Sequence, residues 1–278
     1  MQRRLSLLFA ALLALSALVA GCGQAPAGSG AQAGSSGSGG AGGSAASATP
    51  TLDRIKREGV LKIGTSPDYP PFEFLDENNQ VVGFDIDIMQ EVAKELGVQL
   101  EIVQMGFDGL IPALQAGKFD IMAAGVTVTE ERKQAVDFTD PYLAGTDAIV
   151  VRKDWDKPVK SLEDLKGHRV AVQIGTVHGE AVRQIEGVEV KEYNLFTEAA
   201  TAVASGQADA TYLHKVVAEA FIKANPNLKI AAELPALETA FALRKDTPDL
   251  TQFVNQVLAK MKQDGRFDRL TEKWFMPQ

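Results

Sequence analysis

Thiol chemistry is nearly absent from this chain. A single cysteine, Cys22, stands among 278 residues, so no disulfide can close within it. Histidine is almost as scarce: the three present, at positions 168, 178 and 214, fit no metal-ligand spacing. Neither GxSxG nor HExxH occurs, which removes the usual signatures of a serine hydrolase and a zinc protease. Acidic residues are missing altogether from positions 1–50. The longest apolar run, over residues 5–20, is about 16 residues, short of the ~20 that span a bilayer as a helix.

What does stand at the N-terminus is MQRR, that apolar run, and then the small residues before Cys22. This is the layout of an export signal over residues 1–21. The string LVAGC resembles a bacterial lipobox, which implies that Cys22 becomes the lipid-bearing first residue of the mature chain. Residues 22–51 are largely Gly, Ser, Ala and Gln and carry no charge. Such a segment buries too little surface to offset its chain entropy, so a disordered tether is expected. At about 5–6 Å × √n its root-mean-square reach is roughly 30 Å. Loss of Arg3 and Arg4 with the signal takes the formal charge from −8 to −10. An acidic exported body argues against nucleic acid and against anionic lipid surfaces as partners.

Beyond the tether, strand and helix patterns alternate. Strands are expected at 60–65, 98–103, 120–124, 148–152, 170–173, 188–193, 210–213 and 239–244. Helices are expected at 84–96, 109–116, 177–185, 197–205, 215–224, 248–264 and 267–275. This order predicts an α/β protein in two halves, each a mainly parallel sheet with helices on both faces. One local feature points to a ligand. In TVTEERKQAVDFTDPY (127–142), Arg132 follows two threonines at a helix start, where free N–H groups, the macrodipole and a guanidinium together suit a carboxylate. A solvated helix whose arginine pairs with Glu130 or Glu131 would give the same string.

Five strings, in one order and spacing, resemble the family 3 extracellular solute-binding proteins of bacterial ABC importers, those for polar amino acids. They are LKIGTSPDYPPFEF (61–74), GFDIDIMQEVAKELG (83–97), GFDGLIPALQAGKFDIMAAGVTVTEERKQAVDFTDPY (106–142), LEDLKGHRVAVQIGT (162–176) and DGRFDRLTEKWF (264–275). The resemblance covers essentially residues 52–278. It implies a two-lobed, periplasmic-binding-protein-like (type II) fold with two hinge crossings, near 143–146 and 239–242. Lobe 1 is expected from 52–143 with 241–278, and lobe 2 from 144–240.

The resemblance also implies the site. Tyr69 and Phe107 match the rings that sandwich the ligand's side chain. Ala124, Gly125 and Thr127 match the segment holding its ammonium and carboxylate, and Arg132 matches the carboxylate-binding arginine. Gly175 and Thr176 match the second-lobe turn that completes that carboxylate site. Gln173 is expected to hydrogen-bond a polar side chain or a second carboxylate. Where an acid commonly takes the ammonium, this sequence has His214, which offers no negative charge. Ser66 stands where binders of basic amino acids often carry an Asp, so a basic side chain has no obvious partner there, and Gln173 leans the expectation towards polar or acidic ligands.

No catalytic residue, cofactor or metal is expected, and the histidines other than His214 are read as surface or spare polar residues. The expected function is capture of an amino acid or related small carboxylate for the transmembrane subunits of an ABC permease. The chain is expected to act as a monomer on the extracytoplasmic face, touching the membrane only through lipid on Cys22. The alternatives are a cyclohexadienyl-dehydratase-like enzyme on the same scaffold and a ligand-sensing lipoprotein.

Overall fold

The structure, a computed structural model, describes residues 49–276. The expected signal (1–21), Cys22 and the tether as far as residue 48 lie outside the described residues. The chain enters through helix α1 (Pro50–Glu58), which takes in Pro50 and Thr51 from the stretch assigned to the tether. Proline suits the first helical turn because its missing N–H would have no partner there. The next two N–H groups, of Thr51 and Leu52, donate to Asp249 Oδ2 at 2.9 and 3.0 Å. A cap supplied from the far end of the chain therefore extends the body beyond what local composition suggests.

Strand β1 (Val60–Thr65) follows, then a small meander of β2 (Asp68–Tyr69), β3 (Glu73–Leu75) and β4 (Val81–Val82). The first lobe continues with α2 (Phe84–Leu96), β5 (Gln99–Gln104), α3 (Phe107–Gln115), β6 (Ile121–Met122), α4 (Glu130–Ala135) and β7 (Asp137–Phe138). The second is built from β8 (Thr146–Arg152), β9 (Arg169–Gln173), α5 (Val177–Arg183), β10 (Glu189–Tyr193), α6 (Phe196–Ala204), β11 (Ala210–His214), α7 (Lys215–Ala224) and β12 (Leu228–Pro235). The chain then returns through β13 (Ala242–Leu243), α8 (Pro248–Gln263) and α9 (Arg266–Phe275).

The two five-stranded sheets have the orders β5-β1-β6-β13-β7 and β10-β9-β11-β8-β12. Each keeps a parallel half, with β1 between β5 and β6 and β9 between β10 and β11. The remaining pairs are antiparallel: β13 with β6 and β7, and β8 with β11 and β12. The reason is connectivity. Strands joined by a crossover helix run parallel, whereas β8 and β13 each enter their sheet from the other lobe. Where the chain passes between lobes, Thr239 N–H donates to the Leu143 carbonyl at 2.8 Å, so the two passages run side by side.

Apolar residues of α2 at helical spacing, Phe84, Ile88, Met89, Val92 and Leu96, are buried against the first sheet. Each such side chain contributes about 1.5–3 kcal/mol on full burial. Helices α8 and α9 close over the same helix. The Phe275 ring centre lies 4.7 Å from that of Phe84, and Trp274 Nε1 donates to Asp87 Oδ2 at 2.8 Å. The C-terminal helices thus anchor the first lobe, leaving its facing edge to the cleft.

Candidate functional site

The cleft between the lobes is lined from the first lobe by Ser66, Asp68, Tyr69, Glu73, Phe107, Ala124, Gly125, Thr127 and Arg132. The second lobe contributes Gln173, Thr176, Val177, His178 and His214. Of the residues expected from sequence, all but Gly175 line it, and the Gly175 carbonyl borders it through Arg132. The cavity within is about 20 Å³. One water needs roughly 10–15 Å³, so the lobes are drawn almost together.

Arg132 is positioned by α4. The Thr129 hydroxyl caps that helix, accepting from Arg132 N–H at 3.1 Å. The guanidinium then reaches across the cleft, with Nη1 donating to the Thr127 carbonyl at 2.8 Å and Nη2 to the Gly175 carbonyl at 3.1 Å. Its carbon lies 5.5 Å from the centre of the Phe107 ring. Glu130 pairs instead with Lys133 at 2.8 Å, so the solvated-helix alternative is not what forms. Among the described residues no carboxylate pairs with the Arg132 guanidinium. Burial lowers its pKa, partly offset by the charges of Glu180 and Glu131. A guanidinium held in this way has the fork geometry and charge that suit a carboxylate.

Gly175 is required on two counts. Its φ of +77° lies in the left-handed region, and a Cβ there would sit 2.9 Å from Asp108 Cα. The turn therefore brings the second lobe directly onto the start of α3. Thr176 caps α5, its hydroxyl donating to the Gln173 carbonyl at 2.8 Å and accepting from Gly179 N–H at 3.1 Å. That hydroxyl proton is already used, which leaves the turn's backbone as its contribution to an anion. Likewise the Gly125 N–H is given to Asp85 Oδ2 at 2.9 Å.

The far side of the cleft is rich in acceptors. Asp68 Oδ1 accepts from the Ser66 hydroxyl at 2.7 Å, and Oδ2 accepts from Gln173 Nε2 at 3.1 Å and from Phe196 N–H. Burial raises the Asp68 pKa, while these hydrogen bonds pull it back. Glu73 is 1% exposed, and its Oε2 has no hydrogen-bond partner. Burial, then the charges of Asp85 and Asp68, push its pKa well above the carboxylate range. Gln173 Nε2 also donates to the Asn194 carbonyl at 3.1 Å. Both amide protons are committed, so Gln173 offers the ligand an acceptor, and the expected hydrogen bond to a second carboxylate is corrected. Sequence reading placed too much weight on Ser66. Its hydroxyl serves a neighbouring carboxylate, and the buried acids that line the cleft, Asp68 and Glu73, come from the meander around the Pro70–Pro71 turn.

Tyr69 and Phe107 both line the cleft, but they are held differently. The Tyr69 hydroxyl lies 2.9 Å from His214 Nδ1 and accepts from His214 N–H at 3.1 Å. Burial, reinforced by the nearby His178, lowers the His214 pKa to about 3, so the imidazole is neutral. His178, read as a surface or spare polar residue, is 6% exposed and packed against His214 with ring centres 4.9 Å apart. No spacing rule could have found it, because its neighbours come from other strands.

A sequence profile of bacterial extracellular solute-binding proteins, family 3, matches residues 61–277. The arginine-binding extracellular protein ArtP of Bacillus subtilis (strain 168) is 36% identical over 222 residues, covering 77% of this chain and 86% of the relative. Among solved structures, a mutant of ArgBP from T. maritima superposes with a TM-score of 0.79 at 47% identity, over 81% of this chain and 99% of that one. The ancestral amino acid-binding protein AncCDT-1, a precursor of cyclohexadienyl dehydratase, gives a TM-score of 0.77 at 44% identity, over 81% and 99% of the two chains. The two-lobed periplasmic binding-protein fold is common to these structures and this one. Among the described residues no helix is long and apolar enough to cross a membrane. With its profile match spanning the body and its cleft built from the same strings, this chain belongs to the bacterial extracellular solute-binding proteins, family 3.

Proposed function

We propose that this protein captures an amino acid in the interlobe cleft and delivers it to the transmembrane subunits of an ABC importer. It acts as a monomer, exported by residues 1–21 and held to the extracytoplasmic face by lipid on Cys22, with the following Gly/Ser/Ala-rich segment as tether. The observation that carries the reading is the Arg132 guanidinium, extended into the cleft with two carbonyls and, among the described residues, no carboxylate as hydrogen-bond partners. Arg132, Thr127 and the turn at Gly175 and Thr176 hold the ligand's carboxylate. Tyr69, Phe107, Ala124, Gly125 and His214 wall its body. Gln173, Asp68 and Glu73 face its other end.

Because that other end presents acceptors and buried carboxyls, it suits a ligand with a cationic or amide-bearing side chain. Of the polar or acidic ligands towards which Gln173 leaned the sequence reading, this keeps the polar and adds the cationic. Similarity to ArtP, an arginine-binding protein, supports the same direction. Binding rather than catalysis is the expected activity.

A thermal-shift screen on the full chain tests this, since a ligand that binds only the folded state raises its apparent stability. Arginine, lysine, histidine or glutamine should raise the midpoint, and aspartate and glutamate should not. If no amino acid shifts it, the reading fails. Turnover of prephenate or arogenate would transfer the protein to the dehydratases.

A further inference from the structure

Three buried side chains from three different elements meet behind the cleft. The antiparallel ladder of β8 and β11 sets Asp147 directly opposite His214, and His178 comes from the first turn of α5. They are 6%, 5% and 6% exposed in the order Asp147, His214, His178. One donor atom of each lies within 4.8 Å of those of the other two. Asp147 Oδ1 and His178 Nε2 lie 3.0 Å apart, at ion-pair distance, and the buried His214 Nε2 has no hydrogen-bond partner among the described residues.

The remaining polar atoms of the cluster are, in contrast, tied down. Asp147 Oδ2 accepts from the Tyr212 hydroxyl at 2.9 Å, and His214 Nδ1 is 2.9 Å from the Tyr69 hydroxyl. The anchored atoms fix the orientation of these two side chains.

We infer that Asp147, His178 and His214 form a binding site for a divalent transition-metal ion of the zinc class. Two imidazole nitrogens and one carboxylate oxygen suit Zn²⁺, Co²⁺ or Ni²⁺, whereas Mg²⁺ and Ca²⁺ need a shell of oxygens. Bonds of about 2.0–2.1 Å in a tetrahedron set donor atoms roughly 3.3 Å apart, close to the separation already present between Asp147 and His178. Tyr212 and Tyr69 supply the outer-shell hydrogen bonds that such ligands ordinarily have. Three protein donors leave a fourth position. His178 and His214 also line the cleft, so that position opens onto it. The site stands on these three side chains alone and holds whether or not the cleft takes an amino acid.

The test is a Co²⁺ titration of the full chain, purified without a polyhistidine tag, stripped with chelator and free of added amino acids. Visible absorption of four-coordinate Co²⁺ should rise to one equivalent per chain and vanish when Zn²⁺ is added. Asp147→Asn, His178→Gln and His214→Gln should each weaken binding beyond the roughly 10–100-fold expected of the outer-shell variant Tyr212→Phe. His168→Gln, outside the cluster, should bind as the wild type does. Circular dichroism of each variant separates lost ligation from lost folding. The wild-type titration decides the matter even if a variant misfolds. Failure to bind one equivalent would mean that the three atoms share a buried water and would overturn the site, as would undiminished binding by a folded His214→Gln. Neither result touches the reading of Arg132.

Discussion

The Tyr69 hydroxyl of the first lobe meets His214 of the second at two atoms, 2.9 Å from Nδ1 and 3.1 Å from the backbone N–H it accepts. One phenol oxygen thus joins the two lobes across the cleft. Removing it in Tyr69→Phe leaves a buried N–H and a ring nitrogen without a partner, at about 1–3 kcal/mol. Because those contacts form only when the lobes meet, the loss falls on the closed state. Ligand affinity should drop roughly 5–150-fold while chemical unfolding changes little. Calorimetric titration with small-angle scattering checks this; unchanged affinity and dimensions would remove Tyr69 from the closure.

Glu73 gives a prediction about selectivity. Its carboxyl is buried, burial and the charges of Asp85 and Asp68 push its pKa well above the carboxylate range, and a cationic ligand group would favour its charged form. Glu73→Gln should therefore weaken arginine or lysine by about 10-fold or more, the worth of a charge-assisted hydrogen bond of about 1.5–3 kcal/mol, and leave glutamine nearly unaffected. Equal losses for both ligand types would show that Glu73 shapes the cleft without sensing charge.

Asp85 links the site to pH. It receives Gly125 N–H and the Tyr142 hydroxyl, and burial outweighs both to raise its pKa from 3.8 to about 7. With the folded value raised, the group's stabilising contribution is complete below about pH 3.8, where both states are protonated. It is lost as the pH climbs towards 7, because the unfolded chain ionises first. Each unit is worth about 1.4 kcal/mol. Denaturant unfolding of wild type and Asp85→Asn should show the wild type losing stability relative to the variant between about pH 4 and 7 and running parallel above. Parallel curves throughout would contradict the assignment.

The parts of this molecule legible in its sequence are those governed by local period and local caps. Val60–Thr65, Phe84–Leu96 and Lys215–Ala224 lie where hydrophobic spacing puts them, and Arg132 follows its capping threonine. The meander was not legible, because strands of two or three residues such as Asp68–Tyr69 carry no period. Leu228–Pro235 was missed too, since it is a β8 partner whose register shifts at a bulge. The residues named from the strings do line one cleft, but their hydrogen-bond duties were not legible. Gln173 reads as a donor until Asp68 and Asn194 claim both amide protons. The Asp147, His178 and His214 cluster is assembled by sheet register and a helix start, and nothing in linear spacing announces it.

The central claim is that Arg132 holds the ligand's carboxylate. Its most direct test is calorimetric titration of wild type and Arg132→Ala with whichever amino acid stabilises the protein most. Loss of a charge-assisted, fork-shaped contact of about 1.5–3 kcal/mol or more predicts affinity weaker by at least roughly 10-fold, with folding intact. An Arg132→Ala protein that binds as tightly as the wild type would contradict the account.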